Sequence, residues 1–424
     1  MTTDKTMKPY KAWFIFILVA LFLVYEMGLQ VYPAVITEQL MRDLHINAFG
    51  LGLMSGVYFY TYTLMQIPAG LLFDRYPIRT IIVLPLSICI IGAFLFSIAQ
   101  SALVVAAARL LMGAGSAFAF ISVLVVANDL FHSKHFAFLA GTAQMLAAFG
   151  AIAGGLPLVG FIHHYGWRSP LMFISIIGLI LIALIAIFVH YQKSYQTNTH
   201  EKGWRVKDSL KLIYRNPQTW FIALYACLLW APMSAFASLW GVPFLTSYHG
   251  LTKAAAVNAN SLMWVGIALG SPLLGWWSDY IGRRRLPLAL AAFIGFIGLA
   301  TVIFVPKLPF FIIAISLFLA GAACSGQALS FAIVRENNTP GTHAAAIGFN
   351  NMAVVIAGAL FQPLVGKLIQ LHASGTIENG LPLYTARDYW LGTSILPGCF
   401  LLGALLAFYF IKETYCQNNH QPTN

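Results

Sequence analysis

The sequence predicts an all-α integral membrane protein of twelve transmembrane helices, arranged as two pseudosymmetric six-helix bundles. Three observations carry that prediction: a composition too apolar for water, long unbroken apolar runs, and a motif that recurs half a chain later. Of 424 residues, 59% are apolar and 9% are Asp, Glu, Lys or Arg. An ordinary soluble domain is about one quarter charged, so a soluble enzyme is excluded: this little charge cannot cover a water-facing surface. A transmembrane β-barrel is excluded because barrels are written in short alternating segments.

A spanning helix takes about 20 residues. Apolar runs between polar breaks give twelve, near 12–34, 50–73, 79–99, 103–127, 137–162, 169–190, 218–246, 256–279, 286–305, 309–332, 344–370 and 389–411. The expected organisation is an N-terminal six-helix bundle over 1–190, a cytoplasmic linker over 191–217, a C-terminal bundle over 218–411 and a cytoplasmic tail over 412–424. Lys5, Lys8 and Lys11 precede the first run as in a signal peptide. The run continues to Pro33 with no small-residue cleavage site, so it is expected to be retained as a span. Cys89, Cys227, Cys324 and Cys399 fall inside apolar runs, and none of the five cysteines has zinc-ligand spacing.

The net charge of +11 raises the question of nucleic acid, and the placement of the charges answers it. With the N-terminus inside, 17 of the 24 Lys and Arg fall in cytoplasmic segments, 6 lie outside and Arg109 is within a span. Positive charge is retained on the cytoplasmic side of spans and faces an anionic leaflet. Both termini are therefore expected in the cytoplasm, with no nucleic-acid partner.

The two halves repeat. Gly70-Leu-Leu-Phe-Asp74-Arg75-Tyr-Pro77-Ile-Arg79 ends the second span, and Gly275-Trp-Trp-Ser-Asp279-Tyr-Ile-Gly282-Arg283-Arg284 ends the eighth, 205 residues later. Pro157-Leu-Val-Gly160 recurs as Pro363-Leu-Val-Gly366 at an offset of 206, and Gln144-Met145 matches Asn351-Met352 at 207.

By these residues the whole chain resembles the major facilitator superfamily. The stretch around Asp279 matches the family's signature after the second span of a bundle, while the Asp74 copy departs from it at Pro77 and Ile78. Arg109-Leu-Leu-Met-Gly113-Ala-Gly115 is similar to the fourth-span motif, and Gly150-Ala-Ile-Ala-Gly154-Gly155-Leu-Pro157 to a loosened fifth-span glycine motif. Tyr25-Glu26 with Gln30, the stretch Tyr62–Gly70, Leu239–Leu245 and Lys412–Tyr415 more weakly resemble the branch of lysosomal dipeptide transporters and phagosomal amino-acid importers. The resemblance implies the superfamily fold, a monomer, and a secondary transporter, proton-coupled or facilitative, for an amino acid, a small peptide or a related polar metabolite. An exporter of drugs or siderophores on the same fold and a non-transporting sensor stay open beside it. No nucleophile–base set, metal cluster or nucleotide loop is seen, so neither an enzyme nor a cofactor is expected.

Among 13 carboxylates only Glu26 lies well inside a span, and an ionisable group there is kept for function or internal pairing. It sits about 10 Å from the outer end of the first span, counting 1.5 Å per residue. Arg109 lies at a similar depth in the fourth, so the depths permit a Glu26–Arg109 pair. One reading is a proton-responsive site; the other is an ion pair that only orients two helices. Gln30 is one turn outward from Glu26, and Tyr58, Tyr62 and Gln66 share a helix face. Gln144 and Asn351 are equivalent in the repeat, where a site on the pseudo-twofold axis would draw on both halves. Amides and phenols suit a zwitterionic solute, and they equally suit interhelical hydrogen bonds. Trp240, before Gly241 and Pro243, reads either as an extracellular gate or as a plain helix end. Asp74, Arg75 and Arg79, with Asp279, Arg283 and Arg284, are expected to form paired latches at span ends. There a carboxylate can also cap the amides of the next helix.

Overall fold

The computed structural model describes residues 9–131, 136–155, 157–190, 206–339, 342–371, 377–378, 381–382 and 384–416. Among them, eleven helices are long and apolar enough to cross a membrane, running Pro9–Val35, Ile78–Ser97, Ala102–Ala127, Thr142–Tyr165, Arg168–Phe188, Pro217–His249, Lys253–Ile281, Arg285–Phe304, Phe310–Glu336, Ala345–Leu371 and Ala386–Phe410. Ala48–Arg75, a helix of 28 residues, stands at the position of the second span. The one sheet among the described residues is a two-residue ladder, Ile377–Glu378 against Leu381–Pro382.

Local chemistry explains where the helices start and break. Ser101 and Thr252 accept the amides of Val104 and Ala255 as N-caps, and Thr385 with Asp388 forms a full capping box. The eighth span stops at Gly282, whose φ of +63° suits glycine and closes bonds from Gly282 N to Asp279 O and from Arg283 N to Ser278 O. Between Pro232 and Pro243 the seventh span widens into a π-helical stretch, Met233–Trp240.

Burial follows lipid exposure. The sixth span is the most apolar of the set, and only 28% of it is buried in protein, whereas the seventh is 89% buried. A helix face against hydrocarbon keeps its apolar side chains outward, as Leu64, Leu103, Phe173 and Trp276 do.

The chain forms two compact units, 1–39 with 57–199, and 40–56 with 200–424. The duplication in the sequence is repeated in the packing of each. In the first unit, span 1 packs on spans 4 and 5, and span 3 on spans 4 and 6. In the second, span 7 packs on spans 10 and 11, and span 9 on spans 10 and 12. Residues 40–56, which the sequence reading puts with the first bundle, pack within the second unit. The Ala48 amide donates to Tyr384 Oη at 2.8 Å, and Gly52 lies so close to Gln362 and Pro363 that a Cβ there would meet backbone atoms.

Candidate functional site

The first unit brings span 1, span 2 and span 4 together around Glu26. The approach is set by small residues. Gly150 and Gly154 of span 5 lie against the backbone of Val24 and Gly28, with no room for a Cβ at either glycine. Gly113 of span 4 lies in the same way against the Tyr58 carbonyl, and Thr61 Oγ1 crosses the seam to donate to Leu110 O at 2.9 Å. Arg109 is one helical turn from Gly113, so this seam carries its side chain over Tyr58.

There Glu26 is 1% exposed and Arg109 is fully buried. They do not form the direct ion pair that their depths permit: Tyr58 stands between them. Its hydroxyl donates to Glu26 Oε2 at 2.7 Å, while the Arg109 guanidinium sits 4.5 Å from its ring centroid. Arg109 Nη1 donates to Leu29 O at 3.1 Å. Ser116 is the second hydroxyl beside Glu26, and Cys89 Sγ lies 3.4 Å from Ser116 Oγ. The physical reason for the intervening ring is span length and face: Tyr58 projects from span 2 into the gap that the glycine seam leaves between spans 1 and 4. A phenol can hold both partners, giving a proton to the carboxylate and a negative π face to the cation.

The other predicted residues of this unit extend the cluster. Tyr62 lies 6.0 Å from Tyr58, ring to ring, and Gln66 hydrogen-bonds Tyr62; both are buried, as is Gln30. Gln144 is half-buried in span 5.

In the second unit, Asn351 is half-buried. Trp240 is wholly buried, and its indole N–H is committed to Gln362 O at 3.1 Å, which leaves it no donor for a solute. In this conformation it ties span 7 to span 11. A polar set that the sequence reading passed over lies in the same unit. Asn350 is fully buried and donates to Ser330 Oγ at 2.7 Å. Its Oδ1, Gln327 Oε1 and Trp264 Nε1 are buried without a hydrogen-bond partner among the described residues. Trp230 packs edge-on against Trp264 at 6.4 Å. Unpaired polar atoms are costly in a membrane interior, which singles these three atoms out as candidates for contact with a polar ligand. The signal was present in the sequence as polar residues inside apolar runs. Equivalence to Gln144 drew attention to Asn351, and the buried side chain is its neighbour.

The charged end of span 8 is a network within the second unit. Arg284 donates to Asp279 Oδ1 at 2.6 Å and to Glu336 Oε1 at 2.9 Å, and Arg283 is exposed. Burial alone would lower the pKa of Arg284, but its hydrogen bonds and charge contacts with Glu336 and Asp279 raise it. The sequence reading expected Asp279 to cap the next helix as well. Glu413 caps it instead, accepting the amides of Arg284 at 2.8 Å and Arg285 at 3.0 Å. The Asp279 carboxylate is spent on the guanidinium, and the tail brings a second acid to the free amides. In the first unit, Arg79 is exposed and its Nη1 lies 2.7 Å from His190 Nε2. The side chains of Asp74 and Arg75 lie outside the described residues.

The sequence profile of the Major Facilitator Superfamily matches residues 16–257 and again 232–421. An uncharacterised transporter of Bacillus subtilis, YybO, is 23% identical over 415 residues, covering 89% of this chain and 92% of its own length. The nitrite extrusion protein of the same organism is 25% identical over 269 residues, covering 62% of this chain and 63% of its own. Among solved structures, a bacterial homologue of the human lysosomal transporter Spinster superposes with a TM-score of 0.78 at 18% identity, over 98% of this chain and all of that one. The nucleoside transporter NupG superposes with a TM-score of 0.74 at 13% identity, over 94% of this chain and 99% of that one. At such identities the structural likeness speaks for the fold. With the profile spanning both halves, the duplicated motifs and the repeated packing, the chain belongs to the major facilitator superfamily of membrane transporters.

Proposed function

We propose that this chain is a secondary transporter for a small polar solute of the amino-acid or small-peptide class, working by alternating access in a bacterial inner membrane with both termini cytoplasmic. The observation that carries the reading is the Glu26–Tyr58–Arg109 set. A carboxylate and a guanidinium are buried in one unit of a chain that holds no other carboxylate well inside a span. Separation by a phenol leaves each charge able to exchange partners. A proton, or the ammonium of a zwitterion, can neutralise Glu26, and a solute carboxylate can meet Arg109. A direct bidentate pair would have to be broken first. Within the second unit by itself, Asn350, Gln327 and Trp264 carry two neutral acceptors and a donor of the kind that polar groups engage.

A second reading is a small anion as the solute. It is favoured by the buried Arg109 and by the similarity to the B. subtilis nitrite extrusion protein. Uptake into proteoliposomes of labelled amino acids, dipeptides and nitrite, at equal concentrations, separates the two. The proposal predicts saturable accumulation of an amino acid or dipeptide that unlabelled zwitterions compete away and nitrite does not. Transport of nitrite alone would replace it with the anion reading.

A further inference from the structure

A separate hollow of about 460 Å³ opens in the second unit, lined by Leu212, Arg215, Asn216, Gln218, Asn338 and Lys412 among others. It lies where span 7 begins and spans 10 and 12 end, at the end of the unit that carries the Arg284 network. A water occupies about 30 Å³ of liquid, so the hollow has room for several waters or for a phosphate with a small substituent.

Its amides are already used to build the walls. Asn216 Nδ2 donates to Asn337 O at 2.8 Å and to Asn338 Oδ1 at 3.2 Å. Thr219 Oγ1 donates to Asn338 Oδ1 at 3.1 Å. Gln218 Nε2 donates to Phe410 O at 3.0 Å, and Gln218 Oε1 accepts the Lys412 amide at 2.8 Å. The charges are different. Arg215 and Lys412 are exposed, and among the described residues no acidic side chain lines the hollow. The acids that adjoin Lys412 and Asn337 in sequence are committed elsewhere: Glu413 to the amides of Arg284 and Arg285, and Glu336 to Arg284 and Thr414. Among the described residues the hollow therefore has uncharged amide and hydroxyl walls under two positive charges.

Its depth matches the membrane surface. The helix Val206–Arg215 leads into span 7, with Lys211 and Arg215 one turn apart and Leu212 lining the hollow. Beside it, Tyr214, Trp220 and Phe349 form a ring cluster, with Tyr214 and Trp220 half-exposed. Aromatic rings of this kind sit at the headgroup level.

We infer that this hollow binds a phosphate-bearing anion at the membrane surface, the headgroup of an anionic phospholipid or a free phosphate. The inference stands apart from the solute that the carrier moves. It is tested by thermal unfolding of the purified protein in detergent micelles, titrated with phosphatidylglycerol, with phosphatidylcholine, or with inorganic phosphate. The expected result is an upward midpoint shift with phosphatidylglycerol that phosphatidylcholine does not give. Arg215→Gln/Lys412→Gln, at two exposed positions, should weaken the apparent affinity on the order of 30-fold, from about a tenfold loss or less per basic residue. The charge-matched control Lys307→Gln/Arg387→Gln should leave it unchanged. A phosphate titration that reproduces the shift, and that the double variant abolishes, assigns the same hollow to a soluble anion. A shift that survives in Arg215→Gln/Lys412→Gln, or that phosphatidylcholine matches, overturns the inference.

Discussion

Glu26 and Arg109 are both buried, with one aromatic ring between them. Tyr58 therefore does two separable things, and two substitutions separate them. Tyr58→Phe removes the hydrogen bond to the carboxylate and keeps the ring under the cation. A typical intramolecular hydrogen bond contributes about 0.5–1.5 kcal/mol, so uptake should fall several-fold while the protein still purifies as a folded monodisperse species. Tyr58→Leu removes the ring as well and leaves a buried guanidinium without its π partner. Its thermal midpoint should drop below that of Tyr58→Phe, by the further ~2 kcal/mol of a desolvated cation–π contact. Equal midpoints for the two variants would mean that the ring face contributes nothing. Much of this site was legible as sequence. A carboxylate and an arginine inside apolar runs are rare enough to single out, and depth along two helices puts them at one level. The intervening phenol was not legible as an intermediary. Helix face assigns Tyr58 to a polar stripe with Tyr62 and Gln66, and only the rotation of span 2 about its axis decides which residue enters the gap.

At the scale of elements, glycine spacing decides which helices meet. Gly150 and Gly154, four apart, present a flat strip on which Val24 and Gly28 of span 1 rest, and Gly266 and Gly270 of span 8 do the same against Phe318 and Ala322 of span 10. Gly160 has nothing within 4 Å of where its Cβ would be. Gly150→Leu should therefore push span 1 off span 5, with the loss of about 1–3 kcal/mol or more that overpacking brings. Gly160→Leu should stay within about 0.5 kcal/mol of the parent protein, as an open surface site does. Thermal unfolding of the two variants in the same detergent checks the contrast, and similar losses at both would remove the seam from the account. The span boundaries and the small-residue strips were readable from the chain because apolar runs and turn residues are local signals. The π-helical register of Met233–Trp240 was not readable. Pro232 and Pro243 mark a disturbed helix, but the tertiary bond of Trp240 to Gln362 is what the widened turn accommodates.

At the scale of the whole molecule, the offsets of 205 to 207 residues became corresponding helix contacts in the two units, so the duplication was legible in both motif and packing. The role of the tail was not. Glu413 lies 129 residues from Arg284, and no local pattern announces that it will cap span 9. That contact gives the second unit a pH dependence. Burial alone would raise the pKa of Glu413, but the amides of Arg284, Arg285, Tyr415 and Thr414 bring it below its ordinary value of 4.5. A depressed carboxylate contributes stability that is fully present above its unfolded pKa and is lost as pH falls through the folded one. Glu413→Gln should therefore lower the thermal midpoint at neutral pH and flatten its decline between about pH 5 and about pH 3. A parallel displacement of the whole curve would show that the cap is not titrating.

We propose that Glu26 couples solute movement to protons, and uptake under a proton gradient tests this. Uptake of the transported amino acid or dipeptide is followed in proteoliposomes with and without an inward proton gradient, for the parent protein and Glu26→Gln, alongside solute exchange at equal pH. Coupling through Glu26 predicts gradient-stimulated uptake in the parent. In Glu26→Gln it predicts loss of that stimulation with exchange retained, the retained exchange showing that the variant is folded and binds solute. Stimulation that persists undiminished in Glu26→Gln, or saturable uptake in the parent that ignores the gradient, would contradict it and leave the carrier as a uniporter with a structural charge pair.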